Sequence, residues 1–177
     1  MRILAISGSL RASSSNTALL RAAAVLAPPG VEFTIYDGPG DLPHFNRDLD
    51  GEAAPRAVKD IRSKLQASDG VVFSVPEYAH GVPGSLKNLL DWLVGSGELV
   101  DKLVTLCNAS PRGTYAQASL TETLTVMSAK LVPEASVTLQ VLWKPAMAQQ
   151  IAADAGMSAA LRSAMSRFLS GNGNNLP

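Results

Sequence analysis

The sequence predicts a three-layer α/β sandwich: a five-stranded parallel sheet in the order 2-1-3-4-5 with helices on both faces. Three observations predict it. Short runs rich in Val and Ile alternate with helical patterns along the chain. Those runs are apolar on both faces, as strands are when helices cover both sides of a sheet. The 177 residues suit one domain over 1–170, with a disordered tail expected at 171–177.

Each element has its own signal. RILAIS predicts a first strand at 2–7, and the Ala/Leu-rich stretch after it a helix at 17–26. A second strand is expected at 31–36. The Pro/Gly/Asp-rich connection 37–55 is long enough to be a functional loop. Val58, Ile61 and Leu65 fall at helical spacing and predict a helix at 57–67. Residues 70–75 form a wholly apolar third strand. Pro83 marks the start of a helix at 84–94. A fourth strand is expected at 103–108, a helix at 116–130, a fifth strand at 135–141 and a last helix at 158–169.

Composition excludes several classes. Lys+Arg and Asp+Glu balance at 15 each, so no overall field draws the chain to nucleic acid or to a membrane surface. No apolar run is long enough to span a bilayer, and the N-terminus shows no signal-peptide pattern. The lone cysteine, Cys107, leaves no internal disulfide framework and fits a reducing compartment; with two histidines, a metal site is not expected. A soluble, cytoplasmic domain is the expectation. Cys107 is apolar-flanked in mid-strand and reads as an inert core thiol.

In the order 2-1-3-4-5 a ligand sits at the carboxyl ends of the strands, where the winding reverses. The loops leaving strands one, three and four are GSLRASSSN, PEYAHGVPG and ASPRGTYAQ, all of special composition. The first has neither a Walker A lysine nor a G-x-G-x-x-G fingerprint. It offers Ser9, Arg11, Ser13, Ser14, Ser15, Asn16 and Thr17 at a helix start, a donor set for one terminal phosphate as on a mononucleotide. The same hydroxyls also suit a helix cap. In the second loop Pro76 and Pro83 stiffen the path, and Tyr78 offers a flat face to a planar heterocycle. Glu77 reads either as a contact to that ring or as a salt bridge or cap, and His80 as a solvated loop histidine or a proton-transfer group. In the third loop Ser110 and Gly113 suit close backbone approach to a ring, or an ordinary turn.

GSLRASSSN at 8–16, LPHFNRDLD at 42–50 and PEYAHGVPGSLKNLLDWL at 76–93 together resemble the NADPH-dependent FMN reductase family, the flavodoxin-like group that includes chromate and quinone reductases. The family pattern is G-S-x-R-x-x-S-x-N followed by P-E-Y-N-x-x-x-P-G-x-L-K-N-x-x-D-W, and the second block is the more specific. The resemblance weakens after residue 130. It implies FMN phosphate at Ser9, Arg11, Ser14, Ser15, Asn16 and Thr17. It implies the isoalloxazine ring against Pro76, Glu77, Tyr78, Ala79 and His80, with Ser110 and Gly113 contributing from the fourth-strand loop. Two departures stand out. Ala79 replaces the usual Asn, and Arg112–Gly113 replaces a glycine pair; Arg112 either crowds the nicotinamide side or binds an NADPH phosphate. Within the helical block, Leu86, Leu89, Leu90 and Leu93 are expected to face the core, and Asp91 and Trp92 to pack or hydrogen-bond.

The implied activity is an FMN-dependent NAD(P)H oxidoreductase working by ping-pong hydride transfer, from NADPH or NADH to the flavin and then to a small-molecule acceptor. No protein acid or base is needed for the hydride step, so no catalytic residue is assigned. The resemblance also implies a homodimer or homotetramer. The competing reading is an FMN-binding electron carrier or redox sensor acting through a protein partner, which the chain's neutral charge disfavours. A receiver-type signalling domain needs acidic residues after the first strand, where this chain has Ile6, Ser7 and Gly8. A serine hydrolase needs a G-x-S-x-G elbow, and none is present.

Overall fold

The computed structural model describes residues 1–143 and 145–171. Its sheet runs in the order β2-β1-β3-β4-β5, all neighbours parallel. The strands are β1 (Arg2–Ser7), β2 (Glu32–Tyr36), β3 (Gly70–Ser74), β4 (Leu103–Asn108), β5 (Lys130–Leu131) and β6 (Val137–Thr138). The helices are α1 (Ser15–Val25), α2 (Arg56–Ala67), α3 (Gly84–Leu93), α4 (Thr114–Val126), α5 (Ala148–Ala153) and α6 (Ala155–Ser170).

The two faces of each strand feed separate cores. Leu4, Ile6, Val71, Phe73, Val104 and Leu106 point to the side covered by α2, α3 and α4. Ile3, Ala5, Val72, Leu103 and Cys107 point to the side of α1, α5 and α6. This alternation follows from the period of two along a strand. Each fully buried large apolar side chain contributes about 1.5–3 kcal/mol. Leu86, Leu89, Leu90 and Leu93 lie in the first core, and Cys107 is buried in the second.

The sheet edge differs from the sequence expectation. A single fifth strand at 135–141 is replaced by two short ones. β5 pairs with the start of β4 through Leu103↔Lys130, and β6 pairs with its end through Cys107↔Val137. Between them Pro133–Ala135 forms a 3₁₀ turn. Pro133 has no N–H for the ladder and its fixed φ bends the chain outward. Thr105 Oγ1 occupies the gap, donating to Val132 O and meeting Ser136 Oγ at 3.3 Å.

Two helices are also corrected. The helix expected at 116–130 starts at Thr114 and ends at Val126, because Ser128 takes a left-handed φ of 59° and turns Lys130 into the sheet. The last helix starts at Ala155 rather than 158, capped by Asp154, whose carboxylate accepts the Met157 N–H at 2.8 Å. α5 was not expected. The tail expected at 171–177 lies outside the described residues apart from Gly171, whose N–H caps α6 by donating to Arg167 O. No helix of the described residues is long and apolar enough to cross a membrane.

Candidate functional site

The loop between β1 and α1 is held from within by its own hydroxyls. Ser7 Oγ and Thr17 Oγ1 share a buried hydrogen bond at 2.8 Å. Ser14 is the N-cap of α1, and its Oγ accepts the Thr17 N–H at 3.3 Å. The cap reading of Ser14 is therefore realised, while its own hydroxyl proton stays available to a ligand. Ser15 and Asn16, the first two helical residues, have no carbonyl one turn back for their N–H groups. No acidic residue occupies this helix's first turn. Arg11 is exposed, touches Ser13 Oγ at 3.3 Å and makes no ion pair among the described residues. Free N–H groups, hydroxyls and an uncompensated guanidinium thus lie along one short loop and helix start, a donor set of the chemistry a phosphate dianion takes.

Asn16 does something its loop position does not suggest. Its side chain is nearly buried, and Oδ1 accepts two hydrogen bonds, from Ser74 Oγ at 2.9 Å and from Ala109 N–H at 3.1 Å. Ser74 ends β3 and Ala109 follows β4, so one amide oxygen ties the start of α1 to the carboxyl ends of two strands. Gly8 N–H adds a bond to Ser74 O at 2.8 Å. A Cβ at Gly8 would sit 3.1 Å from Leu86 Cδ2, which is why the chain passes so close to α3 there.

The loop after β3 folds into a two-residue turn. Tyr78 and Gly81 exchange both backbone hydrogen bonds, at 3.2 and 2.9 Å. Ala79 and His80 between them have φ of 49° and 61°, the left-handed region that costs a non-glycine residue about 1–2 kcal/mol. Glu77 is a cap: Oε2 accepts the Ala116 N–H of α4 at 2.9 Å. The His80 ring lies stacked on Tyr115, centroids 4.0 Å apart. Tyr78 is 54% exposed and leaves a flat aromatic face open to solvent.

The loop after β4 is organised by Asn108, which the sequence did not single out. Its Oδ1 accepts the Ser110 N–H at 3.0 Å and its Nδ2 donates to Gly113 O at 3.4 Å. A Cβ at Gly113 would come within 2.7 Å of that nitrogen, so only glycine fits without displacing Asn108. Ser110 Oγ accepts the Arg112 N–H at 3.2 Å, and the Arg112 side chain is exposed.

The long connection after β2 is strapped to α3. Asn88 Oδ1 accepts the Phe45 N–H at 2.8 Å, its Nδ2 donates to Pro43 O at 3.0 Å, and Trp92 Nε1 donates to the same carbonyl at 2.8 Å. Phe45 meets the Trp92 ring edge-on at 5.1 Å. Arg62 anchors the far end, donating to Asp50 Oδ1 at 2.7 Å and to Trp92 O. Its bond, with that of the Gly51 N–H, holds the Asp50 carboxyl below the usual carboxylate range. The near end of the same connection forms a wall of an open cleft of about 360 Å³ beside Ser9, Arg11 and Thr17, floored by Tyr36. Burial, with Asp60 and Asp41 nearby, pushes the Tyr36 phenol up to about 12, so it stays a neutral donor.

Ser9, Arg11 and Thr17 line one cleft, Ser14, Ser15, Asn16 and Thr17 sit at the start of α1, and Asn16 links that helix to Ser74 and Ala109. Glu77 and His80 are joined to the first turn of α4, the helix that follows the loop of Ser110 and Gly113. Ser74, Asn108 and Tyr115 were missed. The only signal for Asn108 was a polar residue closing an apolar strand, and for Tyr115 an aromatic in a helix's first turn.

A family model described as NADPH-dependent FMN reductase matches residues 1–144. An NAD(P)H-dependent FMN reductase from Pseudomonas aeruginosa is 40% identical over 92 residues, 52% of this chain and 49% of that protein. A quinone reductase from Pseudomonas putida is 43% identical over 94 residues, 53% of this chain and 49% of that protein. The chain spans about half the length of these curated relatives. Among solved structures, the flavoenzyme NAD(P)H:(acceptor) oxidoreductase FerB from Paracoccus denitrificans superposes with a TM-score of 0.77 at 27% identity, covering 97% of both chains. A flavodoxin from Bacillus cereus shares the fold, with a TM-score of 0.61 at 17% identity over 100% of both chains.

Proposed function

Because the chain belongs to the NADPH-dependent FMN reductase family, we propose that it holds FMN at the carboxyl ends of β1, β3 and β4 and passes reducing equivalents from NAD(P)H to a small-molecule acceptor of the quinone type. The observation that carries this reading is the link that Asn16 makes from α1 to the ends of β3 and β4, beside the free N–H groups at the start of that helix and Arg11, which has no ion pair among the described residues.

Arg11 supplies the charge for the phosphate. Ser9, Ser14, Ser15 and Thr17 supply hydroxyls, and the N–H groups of Ser15 and Asn16 point along the helix dipole. The oxygen of Asn16 is already taken by Ser74 and Ala109, so its backbone N–H and amide –NH₂ are what remain for a ligand. Pro76, Glu77, Tyr78, Ala79 and His80 form one wall for the ring, and Ser110 and Gly113 the other. FMN held there would supply two-electron redox chemistry between NAD(P)H and an acceptor.

The protein's part is orientation. The crevice is open where Tyr78 and Tyr115 are exposed, and one opening serving donor and acceptor in turn gives a ping-pong order. No side-chain acid or base is needed at the hydride step. A buried, protonated Cys107 and dependence on NAD(P)H suit the cytoplasm. Assembly as a homodimer or homotetramer is part of the same reading.

The test is an anaerobic spectrum of FMN-reconstituted protein, with NADPH and NADH added in turn. Bleaching of the flavin band within seconds is the expected outcome and ranks the two nicotinamides. A retained yellow flavin that neither reduces would instead identify an electron carrier, and failure to retain FMN would remove the cofactor assignment.

A further inference from the structure

The Ala79–His80 turn sits in a conformation its own residues disfavour, and what steadies it lies outside the loop. Two consecutive left-handed residues are ordinarily Asn, Asp or Gly. Here they are Ala and His, at φ of 49° and 61°. Ala79 has no side-chain group to bond locally, and only the paired backbones of Tyr78 and Gly81 close the turn. α4 grips this segment twice with consecutive residues. Ala116 N–H takes the Glu77 carboxylate at the root, and the Tyr115 ring lies on His80 at the tip, 4.0 Å between centroids and 17° between planes.

Tyr115 is 58% exposed, so its ring does little for the core. Its described aromatic partner is His80. We propose that Tyr115 is a positioning residue: by stacking on His80 it holds the 79–80 turn left-handed and thereby fixes the wall against which the planar ring of the cofactor rests. The consequence for binding rests on the FMN reading above; the holding of the turn does not. Where an Asn at position 79 would keep such a turn by its own preference, this chain keeps it through an aromatic contact from a neighbouring helix.

The test uses the full chain and the variants Tyr115→Ala, Tyr115→Phe, Ala79→Asn and Tyr115→Ala with Ala79→Asn. Solvent exchange of the Gly81 N–H and the chemical shift of the His80 ring protons are read by NMR without flavin, and FMN affinity is read by titration. Tyr115→Ala is expected to speed Gly81 exchange and weaken FMN binding by about three- to tenfold each, the worth of one aromatic pair, and to abolish the ring-current shift on His80. Tyr115→Phe keeps the ring and matches the parent. Ala79→Asn restores most of the loss in the Tyr115→Ala background and does less alone, the non-additivity of two residues acting on one turn. The proposal is overturned by parental Gly81 exchange in Tyr115→Ala, by Tyr115→Phe losing as much as Tyr115→Ala, or by Ala79→Asn acting equally in both backgrounds. Exchange and shift changes as expected in a protein that takes up no FMN would support the clamp and sink the cofactor reading.

Discussion

Arg11 and Ser14 lie three residues apart in one loop, yet they do different work. Arg11 has no carboxylate partner among the described residues, while Ser14 is engaged as the cap of α1. Arg11→Ala is expected to weaken FMN binding by about 10- to 100-fold, since hydrogen bonds to a charged group are worth about 1.5–3 kcal/mol. Its melting temperature should hardly move. Ser14→Ala should do the reverse, lowering stability by about 1 kcal/mol through the lost cap with a small change in affinity. Flavin titration and thermal melts of the two variants separate these roles; equal small effects on affinity would remove the phosphate assignment. Gly113→Ala adds a methyl where Asn108 Nδ2 already stands at 2.7 Å, and is expected to cost about 1–3 kcal/mol of stability by overpacking, read by urea unfolding. The composition of each loop was legible at this scale, because Ser, Arg and Asn cluster in a few consecutive positions. The partners were not. Asn16 bonds residues 58 and 93 positions away, and no local pattern reports a contact at that separation.

At the scale of elements, the central strands were readable because burial on both faces leaves them mostly apolar, as in the GVVF of β3. The edge was not readable. There Pro133 divides the pairing between β5 and β6, and the alternating run ASVTLQV at 135–141 looks like one strand although only Val137–Thr138 joins the ladder. α5 was invisible because six residues span fewer than two helical turns, too few to show a period. The exit from α4 is set by Ser128, whose carbonyl accepts the N–H of Asp101, itself left-handed at φ 55°. Ser128→Gly removes the steric penalty of that conformation and is expected to raise stability by up to about 1 kcal/mol, measured by denaturant unfolding. The strap from Pro43 to Asp50 explains why the K-N-x-x-D-W helix carries polar residues between its leucines: Asn88 and Trp92 spend their hydrogen bonds on the connection after β2.

Over the whole molecule, two groups set opposite pH limits. The Asp50 carboxyl is lowered by Arg62, so its contribution to stability is present above the ordinary carboxylate range and is lost as pH falls through its folded value. Burial pushes the Cys107 thiol from 9.0 up to about 12; the folded state then keeps a proton the unfolded chain gives up, and stability falls as pH rises across that interval. Denaturant melts between pH 8 and 11, a window chosen by roughly these thiol values, should show the parent losing stability faster than Cys107→Ala. The same burial makes native Cys107 unreactive, and its labelling by a disulfide reagent should proceed only through opening of the fold. The single amide oxygen of Asn16 has a bearing on how this crevice can be re-engineered. Since it joins the start of α1 to the ends of β3 and β4, a loop grafted from a relative will not behave as a module. A graft that drops Ser74 or shifts Ala109 strands a lone pair of a buried amide and disturbs the start of α1 as well as the loops after β3 and β4. The three loops are interchangeable as a set, and changes are best made at the exposed rim, where Tyr78 and Tyr115 lie, rather than at the joint.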